Sequence, residues 1–134
     1  MGPRPVLFVD PNLTSRLLVG VVLRDCGFDV IEARSLAEAR RVIDGVPALG
    51  AVVTDADFGC GSGIDGFEIA WRARAAHPGV PVVYVSGSDP SLFMQEGVEH
   101  ARLVLKPFEA THIARVLEEA MPFVPVLSGE RRNA

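Results

Sequence analysis

The chain has 134 residues, about half of them hydrophobic, and a formal net charge of −4. That is enough for one domain with its own core, and the acidic balance argues against a nucleic-acid-binding surface. No apolar run approaches the ~20 residues a membrane span needs, and Met1 to Pro5 lead into a strand pattern with no secretory signal. Cys26 and Cys60 lack metal-type spacing and read as free thiols in a reducing compartment, so the expected location is the cytoplasm.

Val6-Leu7-Phe8-Val9-Asp10 is an apolar run ending in an acid, a first strand with Asp10 at its carboxyl edge. Pro11-Asn12 breaks it, and Asn12 is a candidate cap for the free N–H groups of the next helix. Leu17, Leu18, Val21 and Val22 recur there at helical spacing, and Gly27 supplies the stop. Residues 28–32 predict a short second strand. Ser35 and Glu38 then form a capping-box pattern for a helix that runs to about Ile43 and is closed by Gly45-Val46-Pro47.

Ala51-Val52-Val53-Thr54-Asp55 climbs into a second carboxylate and fits a strand buried on both faces. Asp57 and the turn Gly59-Cys60-Gly61-Ser62-Gly63 follow. Asp65-Gly66-Phe67-Glu68 opens a third helix, which His77-Pro78-Gly79 ends. Val80 to Ser86 predicts another buried strand. After the loop at 87–90, residues 91–95 allow one or two helical turns, stopped by Gly97. Ala101 to Leu105 is the fifth strand, ending at Lys106-Pro107-Phe108. The last helix is expected from about Glu109 to Met121, with Ile113, Val116, Leu117 and Ala120 as its apolar face. The domain thus spans residues 1–121 and a tail spans 122–134. Strand and helix alternate five times, which implies a parallel α/β sheet covered on both faces.

Four of these strands end in a functional side chain: Asp10, Asp55, Ser86 and Lys106. In an open parallel sheet all four lie along one edge, where such folds collect their chemistry. Carboxylates with Mg²⁺ suit phosphate chemistry, a lysine pairs with a phosphoryl oxygen as a point charge, and a hydroxyl can donate to another. Asp55 is then the candidate nucleophile for an acyl phosphate.

The order and spacing of Val9-Asp10, Val53-Thr54-Asp55, Asp65-Gly66-Phe67-Glu68, Val85-Ser86-Gly87 and Lys106-Pro107-Phe108 resemble the receiver domain of bacterial two-component response regulators. The resemblance covers about Pro5 to Met121. It implies a flavodoxin-like five-stranded sheet in the order 2-1-3-4-5 with five helices, the fourth short. It implies that Asp55 takes a phosphoryl group from a sensor histidine kinase or a histidine phosphotransfer protein, that Ser86 and Lys106 contact that group, and that Asp10, Asp55 and Asp57 hold Mg²⁺. A downstream protein would be met through the face of the fourth helix, fifth strand and fifth helix. With so little chain after Met121, a single-domain regulator is expected, with at most self-phosphotransfer and autodephosphorylation as its enzymology.

Three departures qualify that pattern. Receivers usually carry two adjacent acids after the first strand, and here Pro11 takes the second place, with neither carboxylate nor N–H. Weakened metal binding is the expectation, with the Asp57 or Asn12 side chain as substitutes. The turn after Asp55 is longer and richer in glycine than usual. Leu103 stands where many relatives place a switching aromatic, leaving the gate absent or moved to Tyr84, Phe93 or Phe108. These departures motivate the competing reading of a pseudo-receiver, an interaction module not switched by phosphorylation. Asp55-Ala56-Asp57 also resembles the nucleophile motif of haloacid-dehalogenase-type phosphatases, but on the third strand rather than the first.

The plainer assignments are few. His77, His100 and His112 read as surface residues, Phe67 as core, and Trp71 as packing. The apolar Phe123, Val124, Val126 and Leu127 of the tail suit packing on the body or a homodimer contact.

Overall fold

The computed structural model describes residues 4–55, 66–86, 98–106 and 108–121. Five parallel strands form one sheet: β1 (Val6–Val9), β2 (Val30–Ala33), β3 (Ala51–Asp55), β4 (Val82–Ser86) and β5 (Arg102–Leu105), in the order β2-β1-β3-β4-β5. Among the described residues there are four helices: α1 (Leu13–Asp25), α2 (Leu36–Gly45) and α3 (Gly66–Ala76) connect successive strands, and α4 (Ala110–Ala120) follows β5. The sheet is the expected flavodoxin-like one, and the short helix expected over 91–95 and the tail 122–134 lie outside the described residues.

The apolar runs reflect burial on both faces of the sheet. Alternate residues of each strand enter one of two cores. Phe8, Val53, Val85 and Val104 pack under α1 and α4 with Leu23, Ile113 and Leu117. Leu7, Val9, Val52 and Tyr84 pack under α2 and α3 with Ile43, Ile69 and Ala73. Phe67, expected in the core, is partly buried with its ring centroid 5.2 Å from that of Tyr84.

Caps define the helix ends. The Asn12 side chain accepts from the backbone N–H of Ser15 at 2.9 Å, as its position suggested. Ser35 Oγ accepts from the N–H of Glu38 at 3.2 Å. Glu38 reaches one residue past the cap, where Oε1 accepts the N–H of Arg34 at 2.9 Å and Oε2 accepts Arg34 Nε at 3.0 Å. Gly27 at φ 98° and Gly79 at φ 81° make the left-handed turns that end α1 and α3.

Three sequence expectations are corrected. The second strand is β2 at Val30–Ala33, two residues later than its predicted start, and Phe28 belongs to the core instead. In α1, Leu17, Leu18 and Val21 are exposed, and the helix buries Val19, Gly20 and Leu23. Helical periodicity is present there, but the apolar stripe points outward. Trp71 is 58 % exposed on α3, so it does not pack in the core.

Candidate functional site

The strand order reverses at β1, which has β2 on one side and β3 on the other. A crevice outside the strand ends is expected at this switch point, and the register fixes what faces it. Val9 pairs with Thr54, so Asp10 and Asp55 each lie one residue beyond that pair. Asp55 pairs with Val85 and Ser86 with Leu105. Ser86 is therefore one step beyond the level of Asp55, and Lys106 two steps. A long side chain is what lets the lysine reach back.

It does reach. Lys106 Nζ donates to Asp55 Oδ2 at 3.0 Å, between residues 51 apart in sequence on strands that are not neighbours. The Asp55 side chain is 12 % exposed and that of Lys106 38 %, so the carboxylate is recessed and the ammonium half in water. The Lys106 N–H donates to Ser86 O at 2.8 Å, tying the ends of β4 and β5 together. Ser86 is buried at the edge of β4.

Asp10 is fastened separately. Its N–H donates to Ala33 O at 3.0 Å, its Oδ1 accepts the N–H of Asn12 at 2.9 Å, and its carbonyl accepts Arg16 Nη1 at 2.9 Å. Burial pushes the Asp10 carboxyl above its ordinary value. The Asn12 N–H pulls it down, the Asp55 charge raises it further, and Lys106 and Arg16 oppose that rise.

Asp10, Asp55 and Lys106 line one open cavity of about 490 Å³, with Pro11, Asn12 and Ser15 at the start of α1. Phe8, Leu18, Val19, Val85, Phe108 and Ala110 make its apolar side. The cleft therefore joins two carboxylates and an ammonium to an apolar wall between α1 and α4. Two carboxylates are a sufficient protein donor set for Mg²⁺, which keeps several waters and takes phosphate oxygens as further ligands. The residues present thus fit a hydrated divalent cation, although no cluster of three or more His, Cys, Asp and Glu side chains is gathered among the described residues.

Of the predicted site residues, Asp10, Asp55 and Lys106 come together and Ser86 sits at the adjacent strand end. Asp57 lies outside the described residues. Of the three candidate aromatic gates, Tyr84 is fully buried and pairs in register with Leu103, Phe108 lines the cavity, and Phe93 lies outside the described residues. Sequence reasoning missed Arg16 and Glu32, which are joined at 3.4 Å behind Asp10. Their only local signal is the mid-helix Gly20, against which Glu32 packs.

No family model and no curated protein sequence matches the chain. Solved structures do. The chain is similar to a response regulator receiver protein from Sinorhizobium medicae, with a TM-score of 0.80 and 29% identity over 88% of this chain and 94% of that one. The chemotaxis protein CheY4 of Vibrio cholerae matches with a TM-score of 0.78 and 22% identity, over 90% of this chain and 100% of that one. The receiver domain of a sensor histidine kinase from Pseudomonas aeruginosa matches with a TM-score of 0.72 and 20% identity, over 89% of this chain and 98% of that one. That protein has a magnesium ion coordinated in its active-site cleft. The chain thus shares the fold of response regulator receiver domains.

Proposed function

We propose that the chain is a response regulator receiver that accepts a phosphoryl group on Asp55 from a sensor histidine kinase or a histidine phosphotransfer protein. The observation that carries this reading is the Lys106–Asp55 contact at 3.0 Å, made from the ends of two separated strands over a cleft that Asp10 also lines. A carboxylate oxygen of Asp55 attacks phosphorus, the phosphorus–nitrogen bond to the donor imidazole breaks, and an acyl phosphate remains. Lys106 orients the carboxylate through Oδ2 and then pairs with a phosphoryl oxygen. Ser86, at the end of β4, donates its hydroxyl to a second oxygen. Asp10, Asp55 and Asp57 would hold Mg²⁺, which would supply positive charge against the phosphoryl oxygens. A cytoplasmic location and a downstream protein partner go with this reading.

The test is incubation with acetyl phosphate and Mg²⁺ followed by intact mass measurement. The expected result is one added phosphoryl group on the parent and none on Asp55→Asn. An unmodified parent, or equal modification of the variant, refutes the proposal.

A further inference from the structure

We propose that Arg16 is a positioning residue for Asp10, clamped in place by Glu32 across a helix face that Gly20 leaves open. This deepens the proposed function, since it rests on Asp10 being one of the carboxylates that hold Mg²⁺.

Asp10 lies one residue past the end of β1 and is followed by a proline. Proline biases the residue before it toward extended backbone, but that leaves the tilt of the Asp10–Pro11 peptide plane to be set. Arg16 sets it: Nη1 donates to the Asp10 carbonyl at 2.9 Å from the second turn of α1. The same backbone segment carries the Asn12 N–H that grips Asp10 Oδ1 at 2.9 Å. Fixing the plane therefore fixes the direction of the carboxylate.

The guanidinium is itself fixed. Its Nε lies 3.4 Å from Glu32 Oε1, and Arg24 Nη1 holds the other oxygen, Oε2, at 2.9 Å. Arg24 Nη2 closes the array by donating to Val30 O at 3.1 Å. The Arg16 and Glu32 side chains are 12 % and 18 % exposed, so the contact is largely shielded from water. Arg16, Gly20 and Arg24 are spaced four apart and share one helix face. A Cβ on Gly20 would sit 2.6 Å from Glu32 Oε2. An alanine there would have to push the Glu32 carboxylate away from the position in which Arg16 and Arg24 hold it. The arrangement also selects arginine: one side chain must offer Nε to Glu32 and Nη1 to the Asp10 carbonyl at once, and a single ammonium on a flexible stem lacks that fixed fork.

The experiment compares the full-length parent with Arg16→Lys, Gly20→Ala and, as a control, Arg34→Lys, whose side chain is 70 % exposed. Two quantities are read: hydrogen exchange of the Asn12 amide relative to the Val52 and Val53 amides in β3, and Mg²⁺ affinity by titration calorimetry. Arg16→Lys and Gly20→Ala are expected to speed Asn12 exchange selectively and to weaken Mg²⁺ binding by roughly 10-fold, the lower end of the usual loss when a residue supporting a metal ligand is changed. Arg34→Lys should leave both as in the parent. Asn12 exchange that is unchanged, or that rises only in step with β3, overturns the proposal, because Arg16 is then merely structural. Selective loss of Asn12 protection with unchanged Mg²⁺ affinity overturns it too. If the parent binds no Mg²⁺ while Arg16→Lys still loosens Asn12 selectively, the metal-holding role fails and the positioning of Asp10 stands.

Discussion

Replacing Lys106 with methionine removes the ammonium from Asp55 and keeps an apolar stem of similar length. The contact at stake is Nζ to Oδ2 at 3.0 Å. At that separation two unit charges attract by roughly 5–6 kcal/mol at an effective dielectric constant of about 20. Water reduces that figure, because the lysine side chain is 38 % exposed and exposed pairs retain only about 0.2–1 kcal/mol. Asp55 pulls the other way. Its side chain is 12 % exposed, and orphaning a buried charge costs about 3–5 kcal/mol. The pair lies between these limits, so Lys106→Met is expected to cost about 1–2 kcal/mol. In urea that is a drop in midpoint of about 0.5–1 M. A double-mutant cycle with Asp55→Asn isolates the pair, and a coupling of about 1 kcal/mol is expected. A coupling below roughly 0.3 kcal/mol, within the additivity of independent sites, refutes the contact and with it the rim geometry on which the proposed function stands.

Other perturbations probe the remaining parts. Because the Asp10 carboxyl is raised above its ordinary value of 3.8, its contribution to stability is fully present when protonated and is lost as pH rises through the folded value. In metal-free buffer Asp10→Asn should therefore melt higher than the parent at neutral pH, with the gap closing in acid; a lower melting temperature at neutral pH refutes this. Glu38 is lowered from 4.5, first by the Arg34 N–H, so its contribution is present above the unfolded value and lost as pH falls through the folded one. Helical circular dichroism of the parent should show this loss in acid, and Glu38→Gln should not. Tyr84→Phe deletes the buried hydroxyl that accepts the Val98 N–H at 3.2 Å, which should cost about 1–2 kcal/mol in urea unfolding; an unchanged midpoint counts against that bond. Leu17→Gln, at a position 49% exposed, should shift stability by no more than about 0.5 kcal/mol, whereas Leu23→Ala in the core should cost about 3 kcal/mol.

The strands were legible because the sheet is covered on both faces, so a buried strand appears as an unbroken apolar run regardless of its neighbours. Asp10, Asp55 and Lys106 were legible for a related reason: each directly follows or ends such a run, and a parallel sheet brings all those ends to one edge. The faces of the helices were harder to read. In α1 the large apolar residues Leu17, Leu18 and Val21 mark a stripe, yet the side against the sheet is filled by Val19, Gly20 and Leu23. Glu32 approaches the helix at Gly20, a contact that hydropathy cannot reveal. Trp71 on α3 is 58 % exposed, so its size was a poor guide to its burial. Arg16 and Glu32 were invisible as a pair because their meeting depends on how α1 lies over β2, and no periodicity encodes that.

The residue that most alters the expected rim is Pro11, and the proposed phosphorylation would offset part of its effect. Among the described residues two carboxylates and one ammonium face the cleft, an excess of one negative charge. Converting the Asp55 carboxylate to an acyl phosphate exchanges one negative charge for about two. Under the proposed function a cation would be needed most in the phosphorylated state, where Asp10 would help hold it and phosphate oxygens would replace part of what an acid at position 11 would offer. Before phosphorylation, Lys106 already neutralises one oxygen of Asp55 at 3.0 Å, and a resting metal ion would have to share that carboxylate with the ammonium. On that proposal, proline at position 11 would weaken the resting affinity for the cation more than it would weaken the phosphorylated site. The same loss places more weight on the orientation of Asp10, the one remaining carboxylate at the end of β1. This is the residue held by the Ala33 carbonyl, the Asn12 N–H and Arg16 together.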